Sequence, residues 1–163
     1  MFTPNSIKKK KLAKEFWTEE GCYITELLND AKSPNLSIAL ARVEVEVTTQ
    51  LHSLRGVQET YIIKKGLGLL EINGKKSKVK ENDTISIEAN QSQRITNIGK
   101  CDLVFYCICI PRFYPDCYIN LENLLIVKIV KIKIIFDWNH FLILIYHLIL
   151  IHNDYQFFHL QIL

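Results

Sequence analysis

The stretch Gln50–Gly66, QLHSLRGVQETYIIKKG, sets one histidine, one glutamate and a closing glycine among apolar residues. Side chains alternate across a strand, so His52 and Leu54, two apart, share a face. Arg55-Gly56 supplies a turn, and Glu59 opens the next extended run, in which Tyr61 shares its face. On such a hairpin His52, Leu54 and Glu59 look into one interior. That interior can hold a metal, an organic ligand, or only packing.

The same period of two runs outward from this hairpin. Upstream, SIALARVEVEV sets Ala39, Ala41, Val43, Val45 and Val47 against Arg42, Glu44 and Glu46, which predicts a strand with one apolar face. Downstream, GLGLLEI and KKSKV flank Asn73-Gly74, a pair whose readiness to take positive φ signals a tight hairpin. ENDTISI, QRITNIGK and CDLVFYCICI add further strands before Pro111. Many short strands with regular turns predict an all-β barrel or sandwich. Ahead of Ser37, IKKKKLAKEFWTEE reads as a short helix or an irregular segment, CYITELL as a strand or edge segment, and SPN as a break.

Composition bounds the partners. At 163 residues, 48% hydrophobic and 23% charged, the chain suits one domain with a real core and no second full domain. The net charge of +3 is mild, and the one basic run, Lys8 to Lys11, reads as a solvated helical face. No recognition motif accompanies it, so no nucleic-acid partner is expected. No apolar run follows the N-terminal lysines, which excludes a signal peptide and predicts a cytoplasmic protein. Five cysteines without a CxxC pair predict reduced, mostly buried thiols. Cys107 and Cys109 share a strand face as packing rather than as a thiolate metal site.

The end of the chain differs in kind. Residues 124–163 contain ten Ile and eight Leu but no Gly, Pro, Ala, Ser, Thr, Arg or Glu, the bias of an AT-rich reading frame. The organisation is therefore read as an N-terminal segment (1–24), a barrel domain (25–122) and an apolar tail (123–163) that originates in a frameshift or read-through. The tail is not expected to span a membrane. FLILIYHLILI, residues 141–151, is short of the ~20 apolar residues a bilayer core needs. Extending it upstream brings in Lys128, Lys131, Lys133 and Asp137, and buried charges cost about 2.5–3.5 kcal/mol each on insertion scales. His140, His147, His152 and His159 in this tail are not expected to form a metal cluster.

The opening stretch resembles the first motif of the cupin superfamily, G(X)5HXH(X)3-4E(X)6G. Glu46 replaces the leading glycine, His52 stands first, Leu54 replaces the second histidine, and Glu59 and Gly66 keep their places. The second motif, G(X)5PXG(X)2H(X)3N, falls on NDTISIEANQSQRITN with its spacing intact. Asn82 and Asn90 stand for glycines, both able to take left-handed angles. Glu88 replaces proline, Gln93 replaces the ligand histidine, and Asn97 is kept. The phrases ETYIIKKGLG, QRITNIG and LVFYCICIPRF resemble a cupin-2 type, mannose-6-phosphate isomerase-like subgroup with glutamine before Arg-Ile.

This resemblance implies an all-β jelly-roll barrel with a small-molecule pocket at its mouth, and a homodimer. Cupins that bind Fe, Mn, Ni or Zn typically use three histidines and a glutamate, a donor set suited to borderline divalent ions. His52, Glu59 and Gln93 are what this chain offers, which implies a weak, exchangeable metal or none. Leu54, Tyr61 and Asn97 are expected to line the pocket. Implied functions are a sugar-phosphate isomerase-like enzyme, a non-catalytic ligand-binding or structural dimeric cupin, or a metal-dependent dioxygenase. In an enzyme Glu59 is the expected base or ligand, His52 the ligand or acid partner, and Gln93 the residue that orients substrate. Arg94 is expected in a solvated ion pair rather than on a substrate phosphate.

Overall fold

The alternation along the chain becomes strand pairing in the computed structural model, which describes residues 14–122. In chain order the strands are β1 (Phe16–Trp17), β2 (Tyr23–Leu28), β3 (Ser37–Val43), β4 (His52–Leu54), β5 (Gln58–Lys65) and β6 (Leu67–Ile72). They continue with β7 (Lys75–Lys80), β8 (Thr84–Ile87), β9 (Gln93–Asn97), β10 (Leu103–Ile110) and β11 (Tyr118–Asn120). Two antiparallel sheets result, one ordered β1-β2-β3-β10-β5-β8 and the other β11-β4-β9-β6-β7. This is the expected all-β jelly roll. The basic run, the suspected read-through tail, its histidines and its apolar segment lie outside the described residues. Among the described residues no helix is long and apolar enough to cross a membrane.

The sheets face each other because each strand presents every second side chain inward. Val43, Ile63 and Leu103 from the first sheet meet Leu70, Val79 and Ile95 from the second in one buried cluster. Fully burying such a side chain is worth about 1.5–3 kcal/mol. The expected Asn73-Gly74 hairpin joins β6 to β7 with both residues at positive φ, 49° and 77°.

One reading is corrected at the start of the domain. The strand read through Val47 ends at Val43, because Glu46 takes φ 66°, which no strand accommodates, and Val45 is left 41% exposed. Of the helical and irregular alternatives for the N-terminal segment, its described part follows the irregular one, a two-residue strand and a turn. Phe16–Trp17 pairs with Tyr23 and Ile24, Trp17 packs edge-on against Tyr23 at 4.9 Å, and Arg42 caps the Tyr23 ring at 4.0 Å. The first sheet thus takes in residues ahead of Thr25.

Candidate functional site

Three strands bring the site together. On β4, His52 stands opposite Gln93 of β9, and directly opposed residues point to the same face. On β5, Glu59 is opposed by Cys109 of β10 on one side and Ile87 of β8 on the other. The turn between His52 and Glu59 is pinned from the second motif. Gly56, at φ 68°, donates its N–H to Asn90 Oδ1 at 3.2 Å, while the Asn90 N–H donates to the Leu54 carbonyl at 2.9 Å. The two motifs are far apart in sequence but act on one loop.

His52 is 2% exposed and Glu59 7%. Gln93, 1% exposed, donates its amide N–H to Glu59 Oε2 at 2.8 Å, and Cys109 Sγ donates to Oε1 at 3.6 Å. His52 Nδ1–H donates to the Gln50 carbonyl at 2.9 Å, which leaves Nε2 with the lone pair in the neutral ring. The ring stacks on Tyr118 with centroids 4.8 Å apart. Burial pushes the Glu59 carboxyl above the usual carboxylate range, more than His52 and the Gln93 hydrogen bond pull it down. Burial also lowers the His52 pKa, against the Gln50 carbonyl and the Glu59 charge.

A third titratable group completes the cluster. Glu20, in the turn between β1 and β2, sets Oε1 3.8 Å from His52 Nδ1, and burial pushes its carboxyl up to about 7. Its side chain keeps 22% exposure, so it belongs to the wall of an opening rather than to the packed core.

His52, Glu59, Glu20, Leu54, Tyr61 and Tyr118 all line one cavity of about 330 Å³. Tyr61 also packs its ring against Phe105 at 4.6 Å, so it serves wall and core together. Asn97 does not reach the cavity, contrary to expectation. Its amide donates to the Val43 and Cys101 carbonyls and its Oδ1 accepts from Gly99, so it ties down the turn after β9. Arg94 pairs with Glu71 at 2.9 Å, the expected solvated bridge.

The donors expected for a weak metal or none are partly spent within the protein. Both Glu59 oxygens are already engaged by donors, Gln93 turns a donating N–H toward that carboxylate, and Leu54 adds no ligand. Among the described residues no three His, Cys, Asp or Glu side chains converge as a metal-holding group. His52, Glu59 and Gln93 therefore do not fit a resident Zn, Mn, Fe or Ni ion.

Sequence reasoning missed Glu20, Cys109 and Tyr118. Glu20 sits in a stretch read as helical or irregular, where nothing marked it as facing inward. Cys109 carried a signal in its even spacing from Cys107, since both line the cavity, but the reading stopped at packing. All five cysteines are free, as expected.

No protein-family model matches the chain. The uncharacterized protein MJ1618 of Methanocaldococcus jannaschii is 36% identical over 102 residues, covering 61% of this chain and 82% of that one. Among solved structures, a predicted oxalate decarboxylase of Thermotoga maritima is 25% identical with TM-score 0.55, over 60% of this chain and 90% of its own. The nucleoside dehydratase Pac13 of Streptomyces is 17% identical with TM-score 0.59, covering 70% and 91%. The cupin domain of Schizosaccharomyces pombe Cnp3 is 13% identical with TM-score 0.53, over 57% and 66%. The last two are likenesses of fold.

Proposed function

We propose that this chain, which belongs to the cupin superfamily and to one family with the Methanocaldococcus jannaschii protein, takes a small organic molecule into its barrel cavity and moves a proton on it with His52 and Glu59. The observation that carries this reading is the opposed setting of the two groups on one cavity. His52 is held neutral by burial with Nε2 carrying the lone pair, and Glu59 keeps its proton to higher pH than an ordinary carboxyl. A neutral base and a neutral acid facing one ligand suit isomerase or lyase chemistry. The roles are the reverse of those expected from the motif, with His52 as base and Glu59 as acid. Gln93 and Cys109 hold the Glu59 carboxyl in place.

Pac13, a nucleoside dehydratase seen with uridine, is an instance of a similar fold that takes a small molecule. The dioxygenase alternative lacks support, because it requires a metal that the donor set does not fit. Homodimer formation belongs to the same proposal, with exposed Phe16 and Trp17 on the edge strand β1 as a pairing surface that sedimentation can test.

The test uses the metal-stripped full chain in D2O with pooled small carbonyl and hydroxy compounds, read by NMR. Proton transfer exchanges deuterium into any ligand that turns over, and His52→Gln and Glu59→Gln each cut the rate at least about 100-fold, within the range for general acid–base catalysis. Ligands that bind without exchange would make the protein a binding module. Exchange that appears only with added metal would overturn the metal-free mechanism.

A further inference from the structure

The wall of the cavity is unbalanced in charge. Glu19, Glu20 and Glu26 line it beside the protonated Glu59, and among the described lining residues there is no lysine or arginine. The arginines of adjoining elements are held by other side chains, Arg42 by carboxylates and Arg112 by Asn29 of the wall. Arg42 binds Glu15 at 2.8 Å and Asp102 at 3.1 Å, and Arg112 donates to Asn29. Beside these carboxyls, His52 and Tyr118 keep unspent hydrogen-bonding capacity on the wall, and the Tyr118 hydroxyl has no partner. His52 has Nδ1 committed to Gln50, which leaves a second ring nitrogen with a lone pair. The other walls are aromatic, with Tyr61, Phe105, Phe113 and Tyr118.

The carboxylates and the open ring nitrogen of His52 call for a ligand that brings N–H donors and positive charge, and the Tyr118 hydroxyl can accept from it as well. Aromatic faces attract a cation through the ring quadrupole. A phosphate or carboxylate would instead meet like charge in a partly desolvated space whose described wall carries no lysine or arginine.

We propose that the cavity selects a small ligand bearing a protonated amine and excludes phosphorylated and carboxylated ones. This rests on the small-molecule reading above and sets its substrate class. It removes the phosphate from the sugar-phosphate reading, because a phosphorylated substrate would find no lysine or arginine on the described wall.

A matched series tests it on the full chain by calorimetric titration at low salt and neutral pH: benzylamine, benzyl alcohol, benzoate and benzyl phosphate. These share a ring small enough for a cavity of about 330 Å³ and differ in charge. Benzylamine is expected to bind at least about tenfold tighter than benzyl alcohol, with no binding of the two anions at millimolar concentration. Glu20→Gln and Glu26→Gln should each narrow the amine-to-alcohol ratio. Should either variant fail to fold, the ratio in the parent protein and its loss at high salt still decide the matter. Equal or tighter binding of the alcohol or an anion overturns the charge selection and leaves the small-molecule reading standing. Absence of binding by all four overturns both.

Discussion

Glu59 and His52 move in opposite senses on burial, and the signs give the two residues opposite effects on stability. The Glu59 pKa is raised in the folded protein, so its contribution is fully present below the ordinary value of 4.5 and is lost as pH rises through the folded value. The Glu20 carboxyl, raised to about 7, acts the same way between 4.5 and that value. The His52 pKa is lowered from 6.5, so its contribution is present above 6.5 and is lost as pH falls through the folded value. Relative to Glu59→Gln, the parent protein should therefore lose stability as pH rises from about 4.5. Relative to His52→Gln, it should gain stability as pH rises toward 6.5. Denaturant melts of the three proteins from pH 4 to 8 check both signs, and parallel curves would show that neither group changes its proton affinity on folding. Glu46 gives a second test. A left-handed backbone costs a non-glycine residue roughly 1–2 kcal/mol, and glycine gives part of that back as chain entropy in the unfolded state. With φ 66° and an exposed side chain, Glu46→Gly should stabilise by about 0.5–1 kcal/mol, read as a higher denaturation midpoint.

The elements set how exactly these side chains meet. Gly66 joins β5 to β6 at φ 95°, and a Cβ there would lie 2.9 Å from Leu103 Cα and 3.0 Å from the Asp102 carbonyl. Both are backbone atoms of the β10 entry, so they cannot swing aside. Gly66→Ala should destabilise by about 2–4 kcal/mol, measured by equilibrium unfolding. Strand β4 also makes the missing metal site testable. His52 and Leu54 point to one side of it, and Gln93 of β9 stands opposite His52. The double variant Leu54→His with Gln93→His offers three imidazoles and a carboxylate to one region. It should bind Ni, Co or Zn at least about tenfold tighter than the parent, a difference of ~1.4 kcal/mol, by titration of the stripped proteins. Equal binding by both would mean that the parent already has ligands outside this set. The strand alternation, the Asn73-Gly74 hairpin and the shared interior of His52 and Glu59 were legible because period-two alternation and asparagine-glycine chemistry are local. The place of Glu20 was not, because a carboxyl reaches a pocket through the tertiary path of its loop. Asn97 was misplaced for a related reason. A motif gives a position, and only the surrounding carbonyls decide whether an amide faces a cavity or braces a turn.

At the scale of the molecule, the last described residues are tied back onto the barrel. Leu121 donates to the Leu51 carbonyl at 2.9 Å, and Glu122 accepts from the Leu51 N–H at 3.2 Å. A chain ending at Glu122 keeps these bonds and should stay folded, with less aggregation than the full chain, whose remaining residues are rich in Ile and Leu. Sedimentation and thermal melts of the two forms check this, and loss of the melting transition on truncation would show that the tail belongs to the fold. The three places where the two motifs ask for glycine and this chain has another residue, Glu46, Asn82 and Asn90, hold φ of 66°, 73° and 67°. What persists at these places is a handedness rather than an amino acid. A search that scores letters finds substitutions at all three, while the backbone bends the same way at each. The sign of a torsion angle can thus outlast the residue that made it cheap, and kinship among such barrels is better traced through where the chain turns left than through the letters at the bend.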